Sequence, residues 1–346
     1  MSNTLDMIHQ LCSAGGISGY EKNIARAAAD LLTGLVDEVT VDRLNNVIGV
    51  RRCGKPNAKK LVLDAHLDEI GLVVNGIENG FLRFCAVGGV DPRILPGLEL
   101  TILADQPLTG VVVCIPPHIS KENEREKTIP ISGLLIDVGL SQQQAEELIP
   151  LGTPIVYRES CFQLGTDKLC GKSMDDRACF VSLLRTLELL QDKELDIDLY
   201  VVGSTFEEVG GNGAKTAVFS IAPNWCVAVD VTHGRTPDAP TDQTFPLGSG
   251  PVIGLGPNVN RWMSQRLKEK AKANDIAVQL EVMAGHSGTN AWPIQISREG
   301  IATAVLSLPL RYMHTPVEVM EQTDLENLAQ LLASFVLDIG REAPTC

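Results

Sequence analysis

LVLDA (61–65) is an apolar run of strand length that leads at once into His66 and Asp68. Three more runs repeat the design. LYVVGST (199–205) leads into Glu207 and Glu208, WCVAV (225–229) into Asp230, and AVLSLPLRYM (304–313) into His314. A further acidic pair, Asp175-Asp176, opens a helix. Short continuous apolar runs are how buried strands of an α/β sheet read. Open α/β sheets place their sites at the carboxyl ends of strands. Two histidines and several carboxylates gathered at such ends are what a two-metal hydrolase needs.

Outward from LVLDA the chain changes texture twice. Before it, residues 3–13 and 20–35 read as helices joined by the flexible turn GGISG (15–19). Residues 37–51 alternate like strands around an Asn-Asn turn. From about 70 to 160 short strand-like pieces such as GLVVNGI, FLRFCAV, LELTIL, GVVVCI and PIVYR are cut by Gly, Pro and Asp. Helical periodicity is confined there to 141–149. This stretch reads as a small β-barrel inserted into the α/β domain. Within it, HISKENEREKTIP (118–130) is charged and aperiodic and reads as a mobile loop. From 172 onward helix and strand patterns alternate again. Ala178, Val181, Leu184, Leu187 and Leu190 recur at helical spacing, and 260–274 is a second amphipathic helix.

The expected organisation is an α/β/α sandwich from residues 1–68 and 160–346, with a β-barrel domain at 69–159 inserted into it. A length of 346 residues suffices for both. Hydrophobic content of 44% with only 4% aromatics predicts a core rich in Ala, Val, Leu and Ile. A net charge of −14 disfavours nucleic acid as a partner. No apolar stretch approaches the roughly 20 residues of a membrane helix, and MSNTLDMIHQLCSAGG lacks the pattern of a signal peptide. Nine scattered cysteines, an odd count without a CxxC pair, read as free thiols in a reducing cytoplasm.

Each candidate has a plain alternative. His66 and Asp68, two apart at a strand end, point to one side. The histidine could bind metal while the acid steers it through a hydrogen bond, or the pair is an exposed strand end. Adjacent Glu207 and Glu208 point in different directions, so one can bind metal while the other holds the attacking water. Otherwise they are solvated acids before the Gly-rich VGGNG (209–213). Asp175 could bridge two metals, or serve with Asp176 as ordinary helix-start acids favoured by the dipole. An acid ending WCVAVD is awkward unless used. A lone His314 would by itself be structural. The conjunction of these positions in an alternating α/β chain decides for a metal site.

AHLDEIG (65–71), GKSMDDRA (171–178), FEEVGGNGA (206–214), AVDVT (228–232) and RYMHTPVEV (311–319), with GGISGYE, GGVDPRILPG (88–97) and CIPPH (114–118), resemble the metallo-aminopeptidase family of glutamyl and tetrahedral aminopeptidases. Some members of that family carry a cellulase label. The motifs cover nearly the whole chain in the family's order. The resemblance implies that Asp175 bridges two divalent metal ions. His66 and Asp230 would complete one site, and Glu208 and His314 the other. Glu207 would be the general base, and Asp68 would orient His66. The implied reaction is hydrolysis of amino-terminal residues from short peptides. Zinc is the first expectation for the metal, with cobalt or manganese as alternatives. A homo-oligomer built from dimers, up to a dodecamer, is also implied. The chain departs from the family at SGTNA (287–291), where Gly-Gly-Thr-Asp-Ala is usual, and at the following Trp292. Asn290 removes a charge and Trp292 adds bulk, which bears on substrate choice. Competing readings are a metal-dependent deacylase of N-acyl amino acids, an inactive scaffold of the same fold, and a glycosidase. The last leaves the two histidines unexplained.

Overall fold

Leu61, Leu63 and Ala65 pack into one hydrophobic core and Val62 into another, as period-2 alternation along a strand requires. That alternation sets the layers. The computed structural model describes residues 4–116, 118–119, 127–158 and 161–342. Helices α1 (Thr4–Ser13) and α2 (Lys22–Leu32) lead into strands β1 (Glu38–Val41), β2 (Val47–Arg51) and β3 (Lys60–His66). Then come β4 (Gly71–Glu78), β5 (Phe81–Val87), β6 (Glu99–Ile102), β7 (Leu108–Val113), β8 (Leu135–Asp137), α3 (Gln142–Leu148) and β9 (Pro154–Tyr157). The pair β10 (Phe162–Leu164) and β11 (Lys168–Gly171) follows. The rest alternates: α4 (Met174–Leu190), β12 (Asp198–Ser204), α5 (Asn212–Ile221), β13 (Trp225–His233), β14 (Val252–Leu255) and α6 (Arg261–Ala273). It ends with β15 (Gln279–Val282), α7 (Ala291–Gln295), β16 (Ala302–Leu310), β17 (Glu318–Glu321) and α8 (Gln322–Glu342).

The main sheet has the order β1-β2-β12-β3-β13-β16-β14-β15. Its centre, β12-β3-β13-β16, is parallel. All four of these strands therefore end on the same edge, where ligands gather. Side chains of α1, α2, α4, α6 and α8 share a core with Leu61 and Leu63. Those of α5 and α7 join Val62, Val202 and Cys226 on the opposite face. Both faces of the central strands are covered, which is why they read as continuous apolar runs rather than alternating ones.

Strands β4 to β9 close into a barrel in the order β4-β5-β8-β7-β6-β9. Leu72, Leu82, Phe84, Leu100, Ile102 and Ile136 fill a separate core there. Closure removes exposed strand edges. Helix α3 is held at its start by a reciprocal cap between Ser141 and Gln144. The fold is thus the expected α/β/α sandwich carrying a small barrel.

Several boundaries differ from the sequence expectation. Strand β13 continues through His233, so Asp230 lies inside the strand rather than after it. Asp175 and Asp176 stand at the start of α4 with non-helical backbone, because their side chains are turned into the site instead of capping the helix. Helix α2 is shorter than 20–35, spanning Lys22–Leu32. The VGGNG segment is half turn and half helix, with α5 starting at Asn212. The expected domain boundary at 159–160 and most of the 118–130 loop lie outside the described residues.

Candidate metal centre and active-site cleft

The end of β3 delivers His66. Its ring is buried, and Nδ1 lies 3.0 Å from the carbonyl oxygen of Asp68. A carbonyl only accepts, so Nδ1 carries a proton and Nε2 is the free donor. Nε2 faces Asp175 Oδ1 at 3.0 Å, with Asp230 Oδ1 and Glu207 Oε2 each 4.0 Å away. His314, in the turn after β16, repeats the arrangement. Its Nδ1 is 3.2 Å from the Gly89 carbonyl, and Nε2 lies 3.2 Å from Asp175 Oδ2 and 3.3 Å from Glu208 Oε2. Asp175 therefore offers one oxygen to each histidine.

A nitrogen lone pair aimed at a carboxylate needs a proton or a cation between them. Two donor sets sharing Asp175 can hold one: His66, Asp175 and Asp230, and Asp175, Glu208 and His314. In each set the donor atoms lie within 4.8 Å of one another. Imidazole and carboxylate donors without thiolate suit zinc, cobalt or manganese. By donor type and spacing, the residues fit two divalent cations.

The electrostatics describe a centre short of positive charge. Burial, then the neighbouring Glu208 and Asp175, push the Glu207 carboxyl up to about 8 against the opposing effect of His66. Burial and then Asp176 push Asp230 well above the usual carboxylate range. For Asp175 burial is outweighed by hydrogen bonds with His314 and His66, which hold it low. Burial disfavours charge on His314, but Asp175 and Glu208 overcome it and push the ring up to about 11. Crowded carboxylates of this kind mark a functional site.

Other residues fix the ligands in place. Asp68 does not reach His66 with its carboxylate, whose nearest oxygen is 3.6 Å from Nδ1. It accepts instead from Ser18 Oγ at 2.6 Å and from the backbone N–H groups of Glu207 and Glu208 at 3.1 and 3.3 Å. It holds His66 through its carbonyl and the glutamate pair through its carboxylate. Glu318 accepts from the backbone N–H groups of Asp175 and His314 at 3.1 and 2.9 Å. Asp176 accepts from the His66 N–H at 3.1 Å. Ser173, Phe206 and His314 carry left-handed φ values of 58°, 59° and 64°, a strain of about 1–2 kcal/mol each for non-glycine residues. Such strain collects where function requires a particular geometry.

A buried ion cluster supports the loop after β3. Glu69 Oε2 accepts from Lys172 Nζ at 2.6 Å, and Oε1 from Arg177 Nη2 at 3.0 Å. Arg177 also donates to the carbonyls of Leu11, Ala14 and Leu67. Sequence reasoning missed Glu318, Glu69 and Lys172, although each lies in or beside a quoted motif. Only Glu318, between Val317 and Val319, carried a local signal, an acid among apolar neighbours.

Of the two departures at 287–292, Asn290 is buried away from the cleft. It donates to Asp64 Oδ2 and Ser204 Oγ, each at 2.9 Å. Trp292 does line the cleft, 39% exposed, with its ring 4.5 Å from that of His286. The cleft above the metal ligands has a volume of about 440 Å³, in the range of small-molecule sites.

The model of the M42 glutamyl aminopeptidase family matches residues 45–331. The lysyl aminopeptidase of Pyrococcus furiosus is 35% identical over 340 residues, 96% of this chain and 97% of that protein. The structure of an aminopeptidase from Desulfurococcus kamchatkensis superimposes with a TM-score of 0.90 at 33% identity, over 97% of this chain and 94% of that one. The TET1 peptidase of Pyrococcus horikoshii, which can assemble into a tetrahedron or a large octahedral shell, gives 0.86 at 29% identity, over 97% and 100%. These matches extend over both the sandwich and the barrel, and the relatives named are peptidases. The chain belongs to the M42 glutamyl aminopeptidase family and is a metal-dependent aminopeptidase.

Proposed function

We propose that the protein removes amino-terminal residues from short peptides at a pair of divalent ions. Asp175 would bridge them, His66 and Asp230 would complete one site, and Glu208 and His314 the other. The observation that carries this reading is Asp175 itself, with one carboxylate oxygen 3.0 Å from His66 and the other 3.2 Å from His314. Zinc is the first expectation, with cobalt or manganese as alternatives. When bound, such a pair would polarise the scissile carbonyl and make water more acidic.

The protein's own residues then divide the work. Glu207 projects from the turn after β12 into the cleft. As general base, its Oε2 takes a proton from the attacking water and returns it to the departing amine. Burial raises the Glu207 carboxyl while the site is without cations; bound ions would lower it again and leave the carboxylate free to accept that proton. Asp68 keeps Glu207 and Glu208 in a fixed turn, so the base and the adjacent ligand keep separate directions. The aminopeptidases among the relatives support aminopeptidase over deacylase activity.

We further infer a homo-oligomer in the cytoplasm, built from dimers through the inserted domain at 69–159. The TET1 relative's assembly supports the first part. Eight free cysteines among the described residues support the second.

The test is Glu207→Gln, assayed on aminoacyl-nitroanilides and their N-acetyl counterparts, with metal content measured by mass spectrometry. The expected result is two ions per chain, as in the parent protein, and turnover lower by a factor of about 10² to 10⁴. Wild-type turnover in the variant would remove Glu207 as base. Equal cleavage of acetylated substrates by the parent protein would favour the deacylase.

A further inference from the structure

Five carboxylates line the cleft, and the proposed mechanism uses four of them: Asp175, Glu207, Glu208 and Asp230. The fifth is Glu281 on β15. Thr232, two residues beyond Asp230 on β13, donates its Oγ1 hydrogen to Glu281 Oε2 at 3.1 Å. The carboxylate is thereby tethered beside the strand that carries a metal ligand. No lysine or arginine lines the cleft among the described residues. His286 also lines it, but its Nδ1 accepts the Gly288 N–H, so that nitrogen does not carry the proton. The ions assigned to the site would offset the other four acids. Glu281 would remain a half-buried carboxylate facing no lysine or arginine, its one basic neighbour being the exposed His233 at the end of β13.

The walls beside it are apolar. Met283 follows Glu281 at the i+2 spacing that puts both side chains on one face of an extended strand, and it lines the cleft with Trp292. A long side chain with an aliphatic stem and a cationic end matches both features. The stem lies along apolar surface while the head meets the carboxylate. A carboxylate-ended side chain would bring a second negative charge against Glu281 with nothing to offset it.

We propose that the cleft selects peptides with amino-terminal lysine or arginine, and that Glu281 is the specificity-determining residue. This rests on the aminopeptidase reading above. A hydrogen-bonded charge pair in a partly desolvated site is worth a factor of roughly ten to a hundred in preference. Acidic amino-terminal residues are disfavoured despite the family's name.

The experiment compares kcat/KM for lysyl-, arginyl-, leucyl- and glutamyl-nitroanilides in the parent protein and in Glu281→Gln. Alongside, calorimetry measures binding of L-lysine and of its uncharged isostere L-norleucine to the metal-loaded parent protein. We expect lysyl and arginyl substrates to exceed leucyl by about tenfold or more, and glutamyl to be slowest. Glu281→Gln should collapse the lysyl-to-leucyl ratio toward one. Leucyl or glutamyl substrates cleaved as fast as lysyl ones overturn the proposal and leave the aminopeptidase reading intact. An unchanged lysyl-to-leucyl ratio in Glu281→Gln overturns it as well. Tighter binding of L-lysine than L-norleucine without turnover of any peptide supports the pocket and sinks the aminopeptidase reading. The ranking and the binding of the parent protein decide the matter even if the variant fails to fold.

Discussion

Asn290 shows how one substitution can look functional in sequence and prove structural. It stands where the family resemblance leads one to expect aspartate, three residues from the cleft-lining Pro293. Yet its amide donates to Asp64 and Ser204 beneath the sheet edge. Asp64 is buried, and its carboxyl is pushed up to about 6 by that burial, against the hydrogen bonds from Ser204 and Asn290. Asn290→Asp would replace the donor by a second buried carboxylate, and the pair would have to share a proton. The folded state would then bind a proton that the unfolded chain releases above about pH 4. Stability is therefore present at low pH and lost as pH rises. The melting temperature of Asn290→Asp should fall further below the parent at pH 8 than at pH 5. An equal gap at both would mean that no proton is shared.

At the scale of elements, the site depends on two supports that carry no ligand. One is the loop after β5. A Cβ placed on Gly89 would meet His314 Nδ1 at 2.7 Å, while the Gly89 carbonyl receives that same ring nitrogen. Gly89→Ala should push the ring aside, lowering affinity for one metal and kcat together while the barrel stays folded. Metal content per chain and circular dichroism separate this from unfolding. The other support is the loop after β3, anchored by Glu69. Burial opposes ionisation of Glu69, but Arg177 and Lys172 outweigh it and hold the carboxyl down at about 2. Its contribution is thus complete above the ordinary glutamate value and is lost as pH falls toward 2. Glu69→Gln leaves Lys172 and Arg177 buried with their counter-charge gone, which should cost about 3–5 kcal/mol near pH 7. Urea unfolding should show that gap narrowing below pH 4. The apolar runs made β3, β12 and β16 readable, because strands covered on both faces have no other pattern. The end of β13 was not readable. An acid inside a strand looks like an acid after it until the pairing of Asp230 with Ser307 on β16 is known. Glu69 and Lys172 were likewise hidden, since a salt bridge formed across 103 positions leaves no local period.

Across the whole molecule, the proposed ligands come from β3, α4, the turn after β12, β13 and the turn after β16, so a bound pair of ions would tie the sandwich together at one edge. Sequence alone placed all of these ligand candidates, because open sheets gather their strand ends and each end carried an acid or histidine. It could not show that the barrel reaches the same point through Gly89, which is a matter of tertiary approach. This convergence would make bound metal a structural element as well as a chemical one. Without cations the buried acids oppose one another, and Asp230 and Glu207 are held above their ordinary carboxyl range chiefly by burial. Ions that bind only the folded state stabilise it by mass action, by about 2.7 kcal/mol at a hundredfold excess over Kd for one site. Chelation at pH 7.5 should therefore lower Tm by several degrees. Stepwise return of zinc, cobalt or manganese should raise it with the logarithm of free ion. Asp175→Asn weakens both donor sets at once, so its Tm should respond little to either treatment. If chelation left the parent's Tm unchanged while ions were shown to leave, the centre would not brace the fold, and the strain at Ser173, Phe206 and His314 would have to be held by the surrounding hydrogen bonds alone.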